Sequence, residues 1–194
     1  MDIAEFVAGL PKCELHLHLE GTLEPELKLA LAERNGLDIG QRTVEEVRAT
    51  YQFDSLSSFL AVYYPAMEVL VTEQDFYDLA YAYFKKVAGQ NLRHSEVFFD
   101  PQVHMRRGVS FETVVRGYHR ALQDAQAEFG ITGGLIMCIV RDLPADDAAA
   151  AFEAALPFKD LLIGLGLDSD ERGNPPNKFR EIFARARDEG LRLT

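Results

Sequence analysis

Short apolar runs alternate with longer amphipathic stretches along the chain. The first run, Glu14-Leu-His-Leu-His-Leu-Glu20, alternates strictly and predicts a strand. A long helical stretch follows. Glu24–Asn35 is rich in Leu, Ala and Glu and stops near Gly36, and Thr43 with Glu46 has the spacing of a capping box. Leu56–Val71 carries Phe59, Leu60, Tyr63, Tyr64, Met67 and Leu70 at helical spacing. Thr72–Ala88 opens on Thr72 and Asp75 and repeats Phe76, Leu79, Ala80, Tyr83, Phe84 and Val87.

Apolar runs then recur at His94–Phe99, Gly134–Val140 and Leu161–Leu167, with helical patterns over Ser110–Phe129, Pro144–Leu156 and Lys178–Glu189 between and after them. Leu191-Arg-Leu-Thr194 reads as the start of a fifth strand. Strands separated by helices predict parallel pairing through right-handed crossovers. The fold class is therefore α/β. Two architectures satisfy it: a small open doubly wound sheet, or half of an eight-fold β/α barrel with a helical insertion after its first strand. Asp100 and Asp168 fall just past the C-terminal ends of their strands, where both architectures place chemistry.

The 194 residues include 20 Lys+Arg against 31 Asp+Glu, a net charge of −11. That charge argues against nucleic acid and anionic membranes as partners, since both are polyanions. Two cysteines, Cys13 and Cys138, are too few for a disulfide framework, which places the chain in a reducing compartment, the cytoplasm. The first dozen residues have no basic or apolar segment of a secretory signal, and no apolar run is long enough to span a bilayer.

The candidate chemistry lies in the first strand. A period of two puts Leu15, Leu17 and Leu19 on one face and Glu14, His16, His18 and Glu20 on the other. Turned into a barrel, four ionisable groups are costly unless something pairs with them, and a divalent cation held by His16 and His18 would do so. The competing reading is a solvated edge strand. Of the other histidines, His94 is at the wrong end of its strand, His104 falls in a loop, and His119 lies on a helix surface. Asp100 and Asp168 are expected to cap the loops that follow them. Cys13 and Cys138 are expected as buried thiols, and Phe59, Tyr63, Tyr64, Phe98 and Phe99 chiefly as core. A helix of the insertion is the alternative, as a lid over a purine-sized pocket.

Pro11-Lys-Cys-Glu-Leu-His-Leu-His-Leu-Glu-Gly-Thr22 closely resembles the first metal motif of the adenosine/adenine deaminase family. Phe98-Phe-Asp-Pro-Gln102, Gly166-Leu-Asp-Ser-Asp-Glu171 and Pro175-Pro-Asn-Lys-Phe179 resemble the branch that acts on free adenine. The resemblance runs over the whole chain. It implies a (β/α)8 barrel, one zinc ion per subunit with His16 and His18 as two of its ligands, and an activated water that attacks C6 of a purine. Glu20 stands where adenosine-specific relatives carry an Asp that contacts ribose. Its longer side chain would fill that space, which favours the bare base. Ser169 is the candidate for a contact to the purine ring.

In similar sequences a further strand, His-Ala-Gly-Glu, follows this point and supplies a third zinc histidine and the acid. By resemblance no catalytic residue is expected within 1–194, a single barrel domain truncated after about four and a half β/α units. The expected activity is deamination of adenine to hypoxanthine and ammonia by the complete protein, with the chain alone inactive. The partner is a small purine, and a homo-oligomer is compatible. Adenosine or another 6-aminopurine is the alternative substrate. Two rival readings are a non-catalytic half-barrel that pairs with another chain, and an amide or ester hydrolase of the wider amidohydrolase group.

Overall fold

The computed structural model describes residues 2–194. The order of elements is α1 (Ile3–Gly9), β1 (Lys12–His18), α2 (Pro25–Arg34), α3 (Val44–Ala49), α4 (Leu56–Ala66), α5 (Glu73–Ala88), β2 (Leu92–Phe99), α6 (Pro101–Met105), α7 (Phe111–Phe129), β3 (Thr132–Val140), α8 (Ala145–Ala155), β4 (Leu162–Asp168), α9 (Arg180–Asp188) and β5 (Arg192–Leu193). Short 3-10 turns follow β1 at Leu19–Thr22 and follow α4 at Met67–Val69.

The five strands are all parallel and lie in the order β1-β2-β3-β4-β5. That order decides between the two expected architectures. A doubly wound sheet reverses direction at its first strand, whereas a barrel adds each strand beside the last. The sheet is the N-terminal half of a β/α barrel, with α2 to α5 inserted between β1 and β2.

Two faces of the sheet carry different cores. The outer face packs on the helices through Val97, Phe99, Leu135, Met137, Ile139 and Leu165. The inner face carries a small cluster of Phe98, Ile136 and Cys138 with Ile163 against it. Gly166 belongs to this inner layer: a Cβ there would come within 3.1 Å of both the Cys138 sulfur and the Phe98 ring. On the outside α5 and α7 touch at Gly117, where a Cβ would fall 2.5 Å from the Glu73 carbonyl and 2.7 Å from Phe76 Cβ. Phe76, Phe99 and Tyr118 interlock edge to face beneath that contact, and each is fully buried.

Several helix ends follow their sequence signals. Thr72 accepts from the Asp75 N–H in a capping box, Thr43 accepts from Glu46 N–H, Ser110 caps α7, and Gly130 closes α7 in the left-handed conformation (φ 68°). Two expectations fail. Cys13 is exposed among the described residues, in which β1 pairs with β2. The segment after Asp100 is the short helix α6 rather than a loop, with Pro101 at its first position. No helix of the described residues is long and apolar enough to cross a membrane.

Candidate metal centre

The alternation of β1 breaks at its end. The pairing register with β2 shifts between Glu14 and Leu17, and the chain enters the 3-10 turn at Leu19. His16 and His18 therefore stay on the inner face while Glu20, expected beside them, turns inward and is buried. Phe98 lies against both imidazoles, with ring centroids 4.7 Å from His16 and 5.2 Å from His18.

His18 Nδ1 lies 3.4 Å from Asp168 Oδ2 and 3.8 Å from Asp100 Oδ1. These three residues and Cys138 bring one potential donor atom each to within 4.8 Å of one another. His16 stands one ring further out, 5.8 Å from His18 between centroids. The strand ends explain the convergence, since Val140 pairs with Asp168 and His18 with Phe98, just before Asp100. Burial works against charge on His18, but the nearby Asp100 carboxylate, with the Glu20 charge behind it, outweighs it, so the imidazole titrates above its ordinary value. Burial and then the Asp100 charge push Asp168 well above the ordinary carboxylate range. Burial, with the same carboxylates, pushes the Cys138 thiol up and keeps it a neutral thiol rather than a thiolate ligand.

The expected capping role of Asp100 does not hold. Asp100 occupies the N-cap of α6, but its side chain makes no cap bond, and both carboxylate oxygens are buried without a partner. Asp168 Oδ1 is likewise unpartnered. Glu20 Oε1 accepts from the Asp100 backbone N–H at 3.2 Å and from His104 Nε2 at 3.1 Å, and its Oε2 is unpartnered. His104, fully buried, receives an Arg107 guanidinium N–H on Nδ1 at 2.8 Å. Arginine only donates, so Nδ1 accepts and Nε2 carries the proton given to Glu20. This shell was not read from the sequence, although the Asp100/His104 and His104/Arg107 spacings are helical.

Above the centre lies a cavity of about 370 Å³, within the range of small-molecule sites. His16, His18, Asp168 and Ser169 line its floor, and Leu56, Phe59, Leu60, Tyr63 and Tyr64 of α4 cover it. The aromatic stripe of α4, expected chiefly as core, has two contacts: Tyr63 and Tyr64 pack against the main core, and with Leu56, Phe59 and Leu60 they line the cavity. Phe99 and Phe98 are both core as expected, and Phe98 also backs the histidines. Ser169 has φ 73°, the left-handed region that costs a non-glycine residue about 1–3 kcal/mol, and its Oγ is buried and unpartnered. The Tyr63 and Tyr64 hydroxyls are also buried without partners.

The donor set fits a divalent cation. Buried carboxylate oxygens without partners are rare in a finished interior, because each costs desolvation energy with nothing returned. Here they surround an imidazole whose Nδ1 faces carboxylates, the arrangement that orients a metal-binding histidine and leaves Nε2 for the ion.

Parallel strands in sequential order, with ionisable groups gathered at their carboxyl ends, define a β/α barrel of the amidohydrolase kind. The sequence profile of the adenosine deaminase family matches residues 11–194, and the chain belongs to that family. It is 53% identical over its full length to an uncharacterized deaminase of Schizosaccharomyces pombe, and 51% identical over 97% of its length to an adenine deaminase of Psychrobacter cryohalolentis. It spans 57% of each of those proteins. Among solved structures, an adenine deaminase from Arthrobacter aurescens superposes with a TM-score of 0.91 at 46% identity, over 94% of this chain and 56% of that one. A Burkholderia ambifaria amidohydrolase with bound zinc gives 0.87 at 30% identity, over all of this chain and 54% of that one.

Proposed function

We propose that the protein carrying this chain is a zinc-dependent adenine deaminase that converts adenine to hypoxanthine and ammonia, and that residues 1–194 are part of one barrel domain. The observation that carries the reading is the group of unpartnered buried oxygens around His18 beneath a lidded, purine-sized cavity. The relatives named adenine deaminase, at about half identity, support the choice of substrate.

His16 and His18 would hold one zinc ion per subunit through ring nitrogens. When bound, the ion supplies a water activated for attack at neutral pH. Phe98 fixes the plane of both imidazoles, and Asp168 and Asp100 hold His18 Nδ1 so that Nε2 is free for the ion. Ser169, at the cavity floor, contacts the purine ring. Its strained backbone is a mark of a site held for a ligand. Glu20 is buried and is not among the residues that line this cavity; its Oε1 accepts from the Asp100 N–H and from His104, so the exclusion of a ribose by Glu20 rests on the family resemblance alone. Tyr63 and Tyr64 on α4 cover the base and exclude water. We place the protein in the cytoplasm, consistent with two free thiols.

Ammonia release by the full-length protein, measured side by side on adenine and adenosine, tests the reading. Faster turnover of adenine is expected. Faster turnover of adenosine overturns the substrate, and inactivity on every 6-aminopurine overturns the class.

A further inference from the structure

We propose that Arg107 and His104 are positioning residues that tie the lid to the metal centre, so that closure of α4 and placement of Asp100 are set by one relay that runs from the surface residue Arg107 to the buried His104 and Glu20. The proposal rests on the metal-centre reading for its functional meaning, while the relay itself stands on geometry alone.

The relay begins at the turn that ends the lid. Arg107 donates from Nη1 to the Glu68 carbonyl at 3.1 Å and from Nη2 to the Met67 and Leu70 carbonyls at 3.0 and 3.1 Å. These carbonyls belong to the 3-10 turn directly after α4 and to its closing residue. The same Nη2 reaches His104 Nδ1, His104 Nε2 donates to Glu20 Oε1, and that oxygen accepts the Asp100 N–H. Three segments distant in sequence thus meet on one guanidinium, one imidazole and one carboxylate: the lid turn, the turn after β1, and the stretch from the end of β2 through α6 to Arg107.

Each link suits its residue type. A guanidinium offers a rigid fork of donors that spreads over several acceptors, whereas an ammonium is a compact point charge. The imidazole passes one donor to Glu20 and accepts one from Arg107, which a carboxamide reproduces only in part. Phe76 meets the His104 ring edge-on at 4.8 Å between centroids and packs beside it. Gln102, two residues before His104, accepts the Val140 N–H at 2.8 Å and fixes α6 against the end of β3. An apolar residue at 104 would remove both imidazole bonds and leave Glu20 Oε1 only the Asp100 N–H.

Three variants of the full-length protein test the relay: His104→Leu, His104→Gln and Arg107→Lys. Each is measured for zinc affinity by titration of the metal-free protein, for KM and kcat on adenine, for thermal stability, and for hydrogen exchange of the α4 amides without metal or substrate. His104→Leu is expected to weaken zinc binding about 10- to 100-fold, the usual effect of removing a group that orients a metal site, and His104→Gln to recover most of that loss. Arg107→Lys is expected to speed exchange across α4 and to raise KM more than it lowers kcat. If His104→Leu does not fold, His104→Gln and Arg107→Lys carry the test.

Equal loss of thermal stability in the folded variants, with zinc affinity, the KM-to-kcat split and α4 exchange all unchanged, overturns the proposal. So does a His104→Gln protein as impaired in zinc binding as His104→Leu. A wild-type protein inactive on adenine, or one that binds no zinc, overturns the functional reading. In that case α4 exchange still judges the relay: faster exchange in Arg107→Lys supports it, and unchanged exchange overturns it.

Discussion

Asp75 and Asp100 are both fully buried aspartates, and they have opposite surroundings. Asp75, at the start of α5, accepts from the Val71 and Thr72 N–H groups at 2.9 and 2.7 Å, from Asn35 at 2.9 Å, and from Arg34. Its pKa is lowered, because those hydrogen bonds together outweigh the cost of burial. Asp100, at the carboxyl end of β2, has no partner on either oxygen. One carboxylate is spent on joining α2 to α5. The other is held open beside His18. A buried charge that serves the fold is saturated, while one that serves a ligand is left short.

The sharpest break between the two regions is expected at the histidines. His16→Ala or His18→Ala in the full-length protein should abolish deaminase activity and zinc retention and leave the circular dichroism spectrum intact. Unchanged zinc content in both variants removes them as ligands. Asp75→Ala should destabilise the fold by roughly 3 kcal/mol in urea denaturation, since two backbone N–H groups lose their acceptor and Arg34 must rehydrate. Asp100→Asn should leave the stability of the metal-free protein within about 1 kcal/mol of wild type, yet lower zinc affinity about 10- to 100-fold. Similar stability losses for Asp75→Ala and Asp100→Asn would erase the contrast.

Asp168 supplies the pH arm. Its folded pKa is raised, so between 3.8 and that higher value the native state keeps a proton the unfolded chain has released. Stability of the metal-free protein therefore falls as pH rises through that window. Asp168→Asn should flatten that part of the profile, read from thermal unfolding against pH in the presence of chelator. Gly117→Ala, far from the centre, should cost about 1–3 kcal/mol by forcing α5 and α7 apart, with zinc affinity unchanged.

Much of the fold was legible because it is local. The alternation at Glu14–His18 and the capping signals at Thr43 and Thr72 each act within a few residues. Periodicity alone left the choice between barrel and doubly wound sheet open, because strand order is a long-range property. It was the resemblance of the Pro11–Thr22 motif that pointed to the barrel, which the strand order then bears out. At the site, His16 and His18 were visible from their period on one strand. The surroundings of Asp100 were not, because its neighbours Glu20, Asp168 and Cys138 come from three other segments. The same holds for the exposure of Cys13, and for the lid, since an amphipathic stripe looks alike over a core and over a cavity.

Crystals of the full-length protein soaked in zinc, with anomalous diffraction collected at the zinc edge, test the central claim most directly. The account predicts one strong peak on the inner face of the sheet, about 2.0–2.1 Å from a ring nitrogen of both His16 and His18. A zinc-loaded crystal with no peak there, or with its strongest peak away from both imidazoles, would contradict it.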